Sequence, residues 1–394
     1  MPQPSEPRRQ ILRLAAATGA SSLLGLDPVQ GATNDREAIR LGQSVPVSGP
    51  TEKVGIEYQR GLQLAFDAAN AGGGVQGRRI ELISHDDADT PETALANTRE
   101  LLGADGMLAL VGYVGAESVN RCLPLAIKEG VPFLAPLSGA ESLRQQPSRW
   151  LQLLRPGFSA ECGLIARNLA TVGFTRIGVL VQNDADGEDG LQALQQCLQQ
   201  VGLPAPISVA RLTRYRAGQD DLMWRETKAA TRTLFYTAPH AVICLAAYRS
   251  SAVVLKGLRE TGFRGGIYAT SLSGPTAIAS FLGAHTAGLS VTQVLPSPFD
   301  ISRPMVASYQ QRLKATGNAQ PDYVSFEGYV AGAVVVEGLR RMPRGGGRAQ
   351  LMQALDGLGG YDLGGMALRW DGQRRQLASE VSLTVLDADG RPRR

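Results

Sequence analysis

Residues 110–144 read LVGYVGAESVNRCLPLAIKEGVPFLAPLSGAESLR, and this stretch contains the pattern that decides the fold. Two short apolar runs, Met107–Val111 and Phe133–Ala135, flank a segment with a period of 3.6 residues, Glu117–Glu129. A buried strand, a helix and a second buried strand in this order predict a parallel β-α-β unit. Both strands run directly into turns of small residues, at the edge where open α/β sheets bind ligands.

The same alternation extends along most of the chain. Further apolar runs predict strands, and these are Ile39–Val45, Ile80–Ser84, Ile177–Val181, Ile207–Leu212, Ala241–Leu245, Ile267–Thr270, Met366–Trp370 and Glu380–Leu386. Segments with helical periodicity are Gly55–Ala71, Ala160–Val172, Gly187–Val201, Asp220–Thr231, Ser250–Thr261, Met305–Thr316 and Asp322–Arg341. At 394 residues the chain is long enough for two domains, and its rhythm changes near residues 154–157. We therefore predict an α/β fold in two units, with helices on both faces of parallel sheets.

Composition and short motifs argue against several classes of partner. The formal net charge is +4 and the basic residues form no stripe, so we expect no nucleic-acid binding. Gly72–Gly77 matches G-x-G-x-x-G, but a helical pattern precedes it and a strand follows it, so we expect no cofactor. Asp86, Asp87 and Asp89 are candidate cation ligands. However, Thr90-Pro91-Glu92 is typical of a helix start, and we expect no metal.

Side chains for covalent or acid–base catalysis are sparse. The three histidines are scattered, and no G-x-S-x-G, H-E-x-x-H or Walker motif occurs. The four cysteines form no C-x-x-C pair, so we expect buried free thiols, with one disulfide as the alternative in an oxidising compartment. A chain of this length with so few catalytic groups is predicted to be a binding protein and not an enzyme.

The N-terminal residues 1–32 differ from the rest of the chain. Arg8, Arg9 and Arg13 precede a mildly apolar run, Leu14–Leu26, which is too short to span a membrane, and small residues follow it. This pattern predicts an export signal of the twin-arginine type and a periplasmic mature protein. An amphipathic helix or a disordered tail is the alternative.

Three strand-to-helix junctions are candidates for the binding site: Val111–Ser118, Pro136–Ser142 and Gln182–Gly190. In the second junction, Ser138 and Glu141 form the S-x-x-E pattern of a capping box, which predicts a helix start. The first N–H groups of a helix lack internal partners and favour anions, so this turn could bind a carboxylate. The alternative is that Ser138 only caps its own helix.

The chain resembles the type 1 periplasmic binding proteins, close to the leucine/isoleucine/valine-binding group that serves ABC importers. Besides the stretch quoted above, the resemblance rests on SGPTEKVGIEYQRGLQLAFDAANAGGGVQGRRIELISHDDADTPETAL, RIGVLVQNDADGEDGLQAL, AVICLAAYRSSAVVLKGLRETGF and SFEGYVAGAVVVEGL, in that order. It spans about residues 36–386 and implies two Rossmann-like lobes joined by a three-crossing hinge, with ligand in the cleft between them. The implied boundaries are 33–157 plus 295–360 for lobe 1 and 158–294 plus 361–394 for lobe 2.

The resemblance also implies which residues contact the ligand. On lobe 1, Ala116 and the segment 137–139 would bind a ligand carboxylate, with hydroxyl groups supplied by two serines. On lobe 2, an aromatic residue would contact the ligand, or pack in the core as the alternative. The implied residues are Ala116, Ser118, Leu137, Ser138 and Gly139 on lobe 1 and Tyr248 on lobe 2.

Two positions of lobe 2 depart from the family pattern. Asp186 stands where the family usually has an aromatic residue, and Ser271 stands where it has the acid that pairs with the ligand's ammonium group. An α-amino acid needs an anion or several acceptors for that ammonium. We expect Asp186, Glu117 or Glu327 to supply it.

These patterns together predict an extracytoplasmic solute-binding protein. It would capture a small polar ligand of the amino-acid, carboxylate or amide type and deliver it to an ABC permease in the membrane. The mature protein is expected to be a monomer. A ligand sensor that docks on a membrane receptor or sensor kinase is the alternative, and an enzyme with Asp186 and Glu117 as paired carboxylates is a weaker one.

Overall fold

A computed structural model describes residues 38–145, 148–214, 219–317, 320–378 and 380–393. The predicted export signal, residues 1–32, lies outside the described residues. Within the described ranges, no helix combines the length and the apolar composition that a membrane crossing requires.

The first sheet is parallel throughout, with the strand order β2-β1-β3-β4-β5. Its strands are β1 (Ile39–Val45), β2 (Ile80–Asp86), β3 (Met107–Val111), β4 (Phe133–Leu134) and β5 (Leu151–Gln152). In the centre of this sheet, Leu41 of β1 is paired with Leu82 and Ala109 of its neighbours and is fully buried. Strands that are covered on both faces read as continuous apolar runs, which is why the sequence pattern predicted the central strand β3, MLALV.

The second sheet has the order β11-β10-β9-β8-β6-β7, and β11 alone of the described strands runs antiparallel to its neighbour. Its strands are β6 (Ile177–Gln182), β7 (Ser208–Leu212), β8 (Ala241–Leu245), β9 (Gly266–Ala269), β10 (Leu289–Gln293) and β11 (Ser382–Val385). The predicted fold class, α/β with parallel sheets flanked by helices, is confirmed.

Helices connect the strands and cover the sheets. They are α1 (Glu52–Ala71), α2 (Pro91–Gly103), α3 (Ala116–Lys128), α4 (Ser142–Gln145), α5 (Phe158–Thr171), α6 (Ala185–Gln200), α7 (Asp220–Tyr236), α8 (Tyr248–Glu260), α9 (Pro275–Leu282), α10 (Pro304–Ala315), α11 (Tyr323–Arg341) and α12 (Arg348–Asp356). As predicted, α2 begins directly after Thr90, with Pro91 in its first turn. All four cysteines are buried and free.

The chain passes between the two sheets three times: after β5, after β10 and before β11. Between the second and third passages, α11 packs against α1, and Arg348 of α12 donates to the carbonyl oxygen of Met107 in the first sheet. Residues 376–378 run beside Leu153 and Leu154 before the chain reaches β11. The lobe boundaries at residues 157, 294 and 360 remain predictions.

One strand prediction was wrong, and two strands of the structure, β5 and β10, were not predicted. Met366–Trp370 forms no strand, because the chain turns at Asp362–Gly365 and only Ala367 makes an isolated bridge, although Met366 and Leu368 bury their side chains. Conversely, β10 was missed, because its polar residues interrupt the apolar run. Thr292 of β10 is buried and donates to the carboxylate of Glu161, which explains how a polar strand can lie inside the protein.

The helix start predicted from the capping-box pattern at Ser138 was also wrong. The helix of this segment, α4, begins four residues later and has only one turn. The Ser138 hydroxyl accepts the N–H of Ala140 at 3.2 Å, which closes a local turn, and the Glu141 carboxylate accepts the N–H of Ser159 at 2.8 Å. Glu141 therefore links this segment to the start of α5, and the predicted helix N-terminus is absent from Ser138.

Candidate functional site

A cavity of about 60 Å³ lies at the carboxyl ends of the strands of both sheets. The residues that line it come from the turns after β3, β4, β6, β7, β8 and β9 and from the starts of α1, α5 and α6. They are Thr51, Val54, Val114, Gly115, Leu137, Phe158, Gln182, Asp184, Asp186, Gly187, Arg214, Leu245, Ala246, Ala247, Thr270 and Leu272. Open α/β sheets bind ligands at this edge, because the turns that follow parallel strands present free backbone groups there.

The carboxylate of Asp186 reaches from the second lobe to the first. Helix α6 is capped by Asp184, whose side chain accepts the N–H of Gly187 at 2.8 Å, and this cap places Asp186 in the first turn. The Ala116 N–H donates to Asp186 Oδ2 at 2.7 Å, and the Ser138 hydroxyl donates to Oδ1 at 3.1 Å. Three residues that the sequence pointed to therefore meet at one carboxylate.

The Ala116 N–H is available to a carboxylate because of how α3 begins. Gly115 precedes the helix with φ of 82°, in the left-handed region that favours glycine. Its own N–H donates to the carbonyl oxygen of Leu137 at 3.1 Å, which holds the two junctions of lobe 1 side by side. The next N–H belongs to the first turn of α3, where no carbonyl of the helix can accept it and the helix dipole favours an anion.

Arg214 is the cationic side chain of the cavity. It follows β7, and only 14% of its side chain is exposed. Its guanidinium lies 3.3 Å from Asp89, 3.5 Å from Glu117 and 3.7 Å from Asp184. Two of these carboxylates belong to the first-sheet side of the cleft, so Arg214, like Asp186, joins the two sides. In the described part of the chain, no group of potential ligands is arranged to hold a metal ion.

The shared environment shifts the pKa values of this cluster. Burial, followed by the neighbouring Asp184, raises the pKa of Asp186 to about 6, although the hydrogen bonds from Ala116 and Ser138 oppose this change. Burial also raises the pKa of Asp89, which Arg214 opposes. Burial alone would lower the pKa of Arg214, but the surrounding carboxylates more than offset it, and its pKa is raised.

Ser271 and Glu327 lie in a different cluster, centred on the fully buried Arg155. Arg155 donates to Glu161 at 3.1 Å and to the Ser271 hydroxyl, and its guanidinium is 3.7 Å from Glu327. The Ser271 N–H donates to the Glu161 carboxylate at 2.8 Å. Neither Ser271 nor Glu327 lines the cavity, so direct contact of either with ligand remains a prediction.

The other predicted site residues are divided between the cavity and the core. Leu137 lines the cavity, and Glu117 borders it through Arg214. Ser118, Gly139 and Tyr248 are buried outside its lining, and the Tyr248 ring packs 5.4 Å from that of Phe281. This position of Tyr248 agrees with the alternative of a packed core residue, and its contact with ligand is untested.

Sequence reasoning did not single out four residues of this site, Thr51, Asp89, Asp184 and Arg214, although Asp184 lies within the candidate junction Gln182–Gly190. Asp89 was considered as a candidate cation ligand just before a helix start, and its side chain is only 3% exposed. Asp184 and Arg214 each stand two residues after a strand of the second sheet, at the same edge as the recognised junctions. Their position directly after a strand could have marked Asp184 and Arg214 as site residues. Their ion pairing was not predictable in this way, because the partners of Arg214 lie far away in sequence.

Comparison with known proteins decides the family. A family model described as periplasmic binding protein matches residues 38–391. The chain belongs to the periplasmic binding protein family. The predicted resemblance is thereby confirmed, as is the prediction of a binding protein and not an enzyme, because members of this family capture ligands.

Individual relatives are distant but consistent with this family. An amino acid binding protein of Pseudomonas aeruginosa is 30% identical over 129 residues, which cover 33% of this chain and 32% of that protein. A leucine-, isoleucine-, valine-, threonine- and alanine-binding protein of the same organism is 23% identical over 312 residues, or 77% of this chain and 79% of that protein. The match thus spans about a third of the first relative and most of the second.

Among solved structures, a substrate-binding periplasmic protein from Ralstonia solanacearum has the same fold. It superimposes with a TM-score of 0.82 and 26% sequence identity, over 89% of this chain and 98% of the other. The match includes both sheets, so the two-sheet architecture of this chain is that of a periplasmic binding protein.

Proposed function

We propose that this protein captures a small polar ligand of the amino-acid, carboxylate or amide type between its two lobes and delivers it to an ABC permease. Membership of the periplasmic binding protein family and the amino acids named for two relatives support this proposal. The mature protein would act in the periplasm as a monomer. The first 32 residues would direct its export.

The observation that carries the proposal is the cross-cleft hydrogen bonding at the cavity. Ala116 and Ser138 on one side hold a carboxylate from the other side. Such contacts form only when the lobes are closed, which is how a two-lobed binding protein couples ligand contacts to closure. The cavity also combines apolar walls with a few converging polar groups, as small-molecule sites do.

Thermal unfolding of the full chain with a panel of amino acids, carboxylates and amides tests the proposal. A ligand at one hundred times its Kd should stabilise the folded state by about 2.7 kcal/mol and raise Tm by several degrees. Calorimetry should then give one site per chain, with the ligand recovered unchanged. Conversion of the ligand to a product, or no stabilisation by any compound, would contradict the proposal.

Delivery to a permease needs a separate test. The loaded protein should stimulate ATP hydrolysis by its cognate ABC transporter in proteoliposomes, and the unloaded protein should stimulate it less. Stimulation of a sensor kinase instead would favour the sensing alternative.

A further inference from the structure

The carboxylate of Asp186 joins the two sides of the cleft through both of its oxygen atoms. Oδ2 accepts the Ala116 N–H at 2.7 Å, and Oδ1 accepts the Ser138 hydroxyl at 3.1 Å. Both donors follow strands of the first sheet, whereas Asp186 lies in the first turn of α6, after β6 of the second sheet. One side chain of the protein therefore bridges the cleft by direct hydrogen bonds.

The groups around Asp186 form a position for an anion. The Ala116 N–H is at the start of α3, where the helix dipole favours negative charge, and the Ser138 hydroxyl is fully buried. A Cβ atom on Gly115 would lie 3.7 Å from both Arg214 Nη2 and Asp186 Oδ2, so the guanidinium and the carboxylate border the same glycine. Because an N–H, a hydroxyl and a cation converge there, a carboxylate that enters the cavity competes for this position with Asp186.

A second carboxylate of α6 also crosses the cleft, but at a different place. Asp189 lies three residues after Asp186, on the same helical face, and accepts the Ser142 hydroxyl at 2.9 Å and the Ser142 N–H at 3.2 Å. Asp186 lines the central cavity, whereas Asp189 lines a separate groove of about 280 Å³. Both residues therefore contribute to closure, but of these two it is Asp186 that competes with a ligand.

The closed cavity has little room for a ligand beside Asp186. Its volume is about 60 Å³, which admits only a few water-sized groups. Asp186 is attached to the protein and so reaches the two donors at a high effective concentration. At pH 7.5 it is ionised, because burial raises its pKa only to about 6, and it then resembles the carboxylate of a ligand. Ligand and Asp186 therefore exclude each other from the Ala116 and Ser138 donors.

We propose that Asp186 is an internal ligand, which holds the cleft closed when no solute is bound and which the carboxylate of a solute must displace. This inference rests on the proposed function and describes how the same site is regulated. The apparent affinity for a solute is reduced in proportion to the fraction of molecules in which the Ala116 and Ser138 donors are free. Asp186 therefore sets a threshold, because a solute binds only when its own contacts outweigh those that Asp186 gives up.

Small-angle X-ray scattering of the full chain at pH 7.5 tests closure without any ligand. Asp186→Ala should have a larger radius of gyration than the wild type, because the bridge is lost, and Asp186→Asn, which keeps the size of the side chain but not its charge, should be intermediate. Glu188→Ala, on the same helix, breaks an exposed pair with Arg211 of its own sheet and should scatter as the wild type does. Unchanged radii for both Asp186 variants would overturn the inference.

Acetate provides a second test, because it replaces the group that Asp186→Ala removes. At constant ionic strength, acetate should bind Asp186→Ala, raise its Tm and return its radius of gyration to the wild-type value. It should bind the wild type at least tenfold more weakly. Acetamide has a similar size without the charge and should restore closure poorly. Equal binding of acetate by Asp186→Ala and the wild type would contradict the role of Asp186 as an internal ligand.

Pentanoate tests competition with a larger solute by calorimetry. Asp186→Ala should bind it at least tenfold more tightly than the wild type, a difference of about 1.4 kcal/mol. Asp189→Ala is the matched variant, and it should not tighten binding, because its bond to Ser142 lies outside the cavity and is compatible with a bound ligand. Equal tightening by the two variants would overturn the inference.

The outcomes separate this inference from the proposed function. Tighter binding of pentanoate by the wild type than by Asp186→Ala would overturn the role of Asp186 and leave the proposed function intact. Absence of binding of pentanoate, pentanamide and L-leucine by all these proteins would count against the proposed function. The scattering and acetate measurements would still decide whether Asp186 holds the cleft closed.

Discussion

At the scale of single residues, Asp186 sets this protein apart. The proteins that this chain resembles usually have an aromatic residue at this position. Here the Asp186 carboxylate crosses the cleft and accepts hydrogen bonds from Ala116 and Ser138. Two neighbouring residues make this arrangement possible: Asp184 caps the helix that bears Asp186, and Gly115 exposes the Ala116 N–H. In this structure the Asp186 carboxylate therefore occupies the donors of Ala116 and Ser138 that the resemblance assigns to a ligand.

The raised pKa of Asp186 predicts a specific dependence of stability on pH. An acid whose folded-state pKa lies near 6, above its unfolded value of about 3.9, stabilises the fold fully below pH 4. This contribution is lost as pH rises through 6. Relative to Asp186→Asn, the wild type should lose about 2–3 kcal/mol of unfolding free energy between pH 4 and pH 7.

Denaturant unfolding of both proteins across that range measures this difference. Asp184 and Arg214 act on the Asp186 carboxylate and are present in both proteins, so the comparison isolates the Asp186 carboxyl together with its effect on Asp184. Asp189→Asn, on the same helix but bonded to Ser142, is the control. Parallel stability curves for the wild type and Asp186→Asn would contradict the prediction.

At the scale of elements, the buried Arg155 holds together the parts that meet at the hinge. It lies in the crossing after β5 and contacts Glu161 of α5, Glu327 of α11 and Ser271 after β9. Burial raises the pKa of Glu327, and Arg155 opposes this change. A buried group of opposite charges depends on each of its members, because removal of one leaves the remaining charges buried without a counter-charge.

Arg155→Met should therefore lower the free energy of unfolding by about 3–5 kcal/mol, because two carboxylates lose their counter-charge. Equilibrium denaturation measures the effect. Arg303→Met, which breaks the exposed pair with Asp300 and a hydrogen bond to the Gly365 carbonyl oxygen, should cost much less than Arg155→Met, because water screens an exposed pair. Similar losses of unfolding free energy in Arg155→Met and Arg303→Met would contradict the stabilising role of the Arg155 contacts.

The crossing of α1 and α11 depends on close backbone contact. A Cβ atom on Gly61 would lie 1.9 Å from the carbonyl oxygen of Ser325, and one on Gly328 would lie 2.2 Å from that of Tyr58. Gly61→Ala should therefore destabilise the protein by about 1–3 kcal/mol, since the helices must move apart. Gly103→Ala, at a helix end with open space around it, should be neutral or slightly stabilising. Equal Tm values for the two variants would contradict this account.

At the scale of the whole molecule, the structure is closed by contacts that lie outside the cavity. Glu52 of α1 pairs with Arg249 of α8 at 2.6 Å, and Lys53 donates to Ser280 at 2.7 Å. On the other side of the cleft, Ser142 donates to Asp189 at 2.9 Å. These contacts contribute to the free-energy difference between open and closed states, and hence to the apparent affinity for any ligand.

Arg249→Ala should weaken ligand binding without any contact with ligand. A partly exposed pair contributes up to about 1 kcal/mol, so Kd should rise by up to about fivefold. Calorimetry with the tightest-binding compound of the panel measures this change, which should shrink at high salt. Arg60→Ala, which breaks the Glu57–Arg60 pair within α1, should leave Kd unchanged. An unaltered Kd for Arg249→Ala would show that this pair does not influence closure.

Local patterns in the sequence were sufficient for most of the elements and for the class of protein. The strands β3 and β8 were predicted at their observed limits, because burial on both faces produces continuous apolar runs. The limits of β1 were also predicted, although Arg40, Gln43 and Ser44 interrupt its apolar residues. The junctions at Ala116, Ser138 and Asp186 were also recognisable, because strand ends next to small residues are local features. Polar interior strands such as β10 were not recognisable, since the partner of Thr292 is Glu161, more than a hundred residues away.

Only the tertiary structure decided which charges meet in the cleft. In the structure, Arg214 lies among carboxylates from both sides of the cleft, and Ser271 and Glu327 contact the buried Arg155 and not the cavity. Asp186 accepts a hydrogen bond from the Ala116 N–H, which the sequence analysis assigned to a ligand carboxylate. The physical reason is that apolar periodicity is encoded over a few neighbouring residues. Ion pairs and hydrogen bonds across a cleft instead depend on distances between segments far apart in sequence, and those distances arise only when both sheets are folded and face each other.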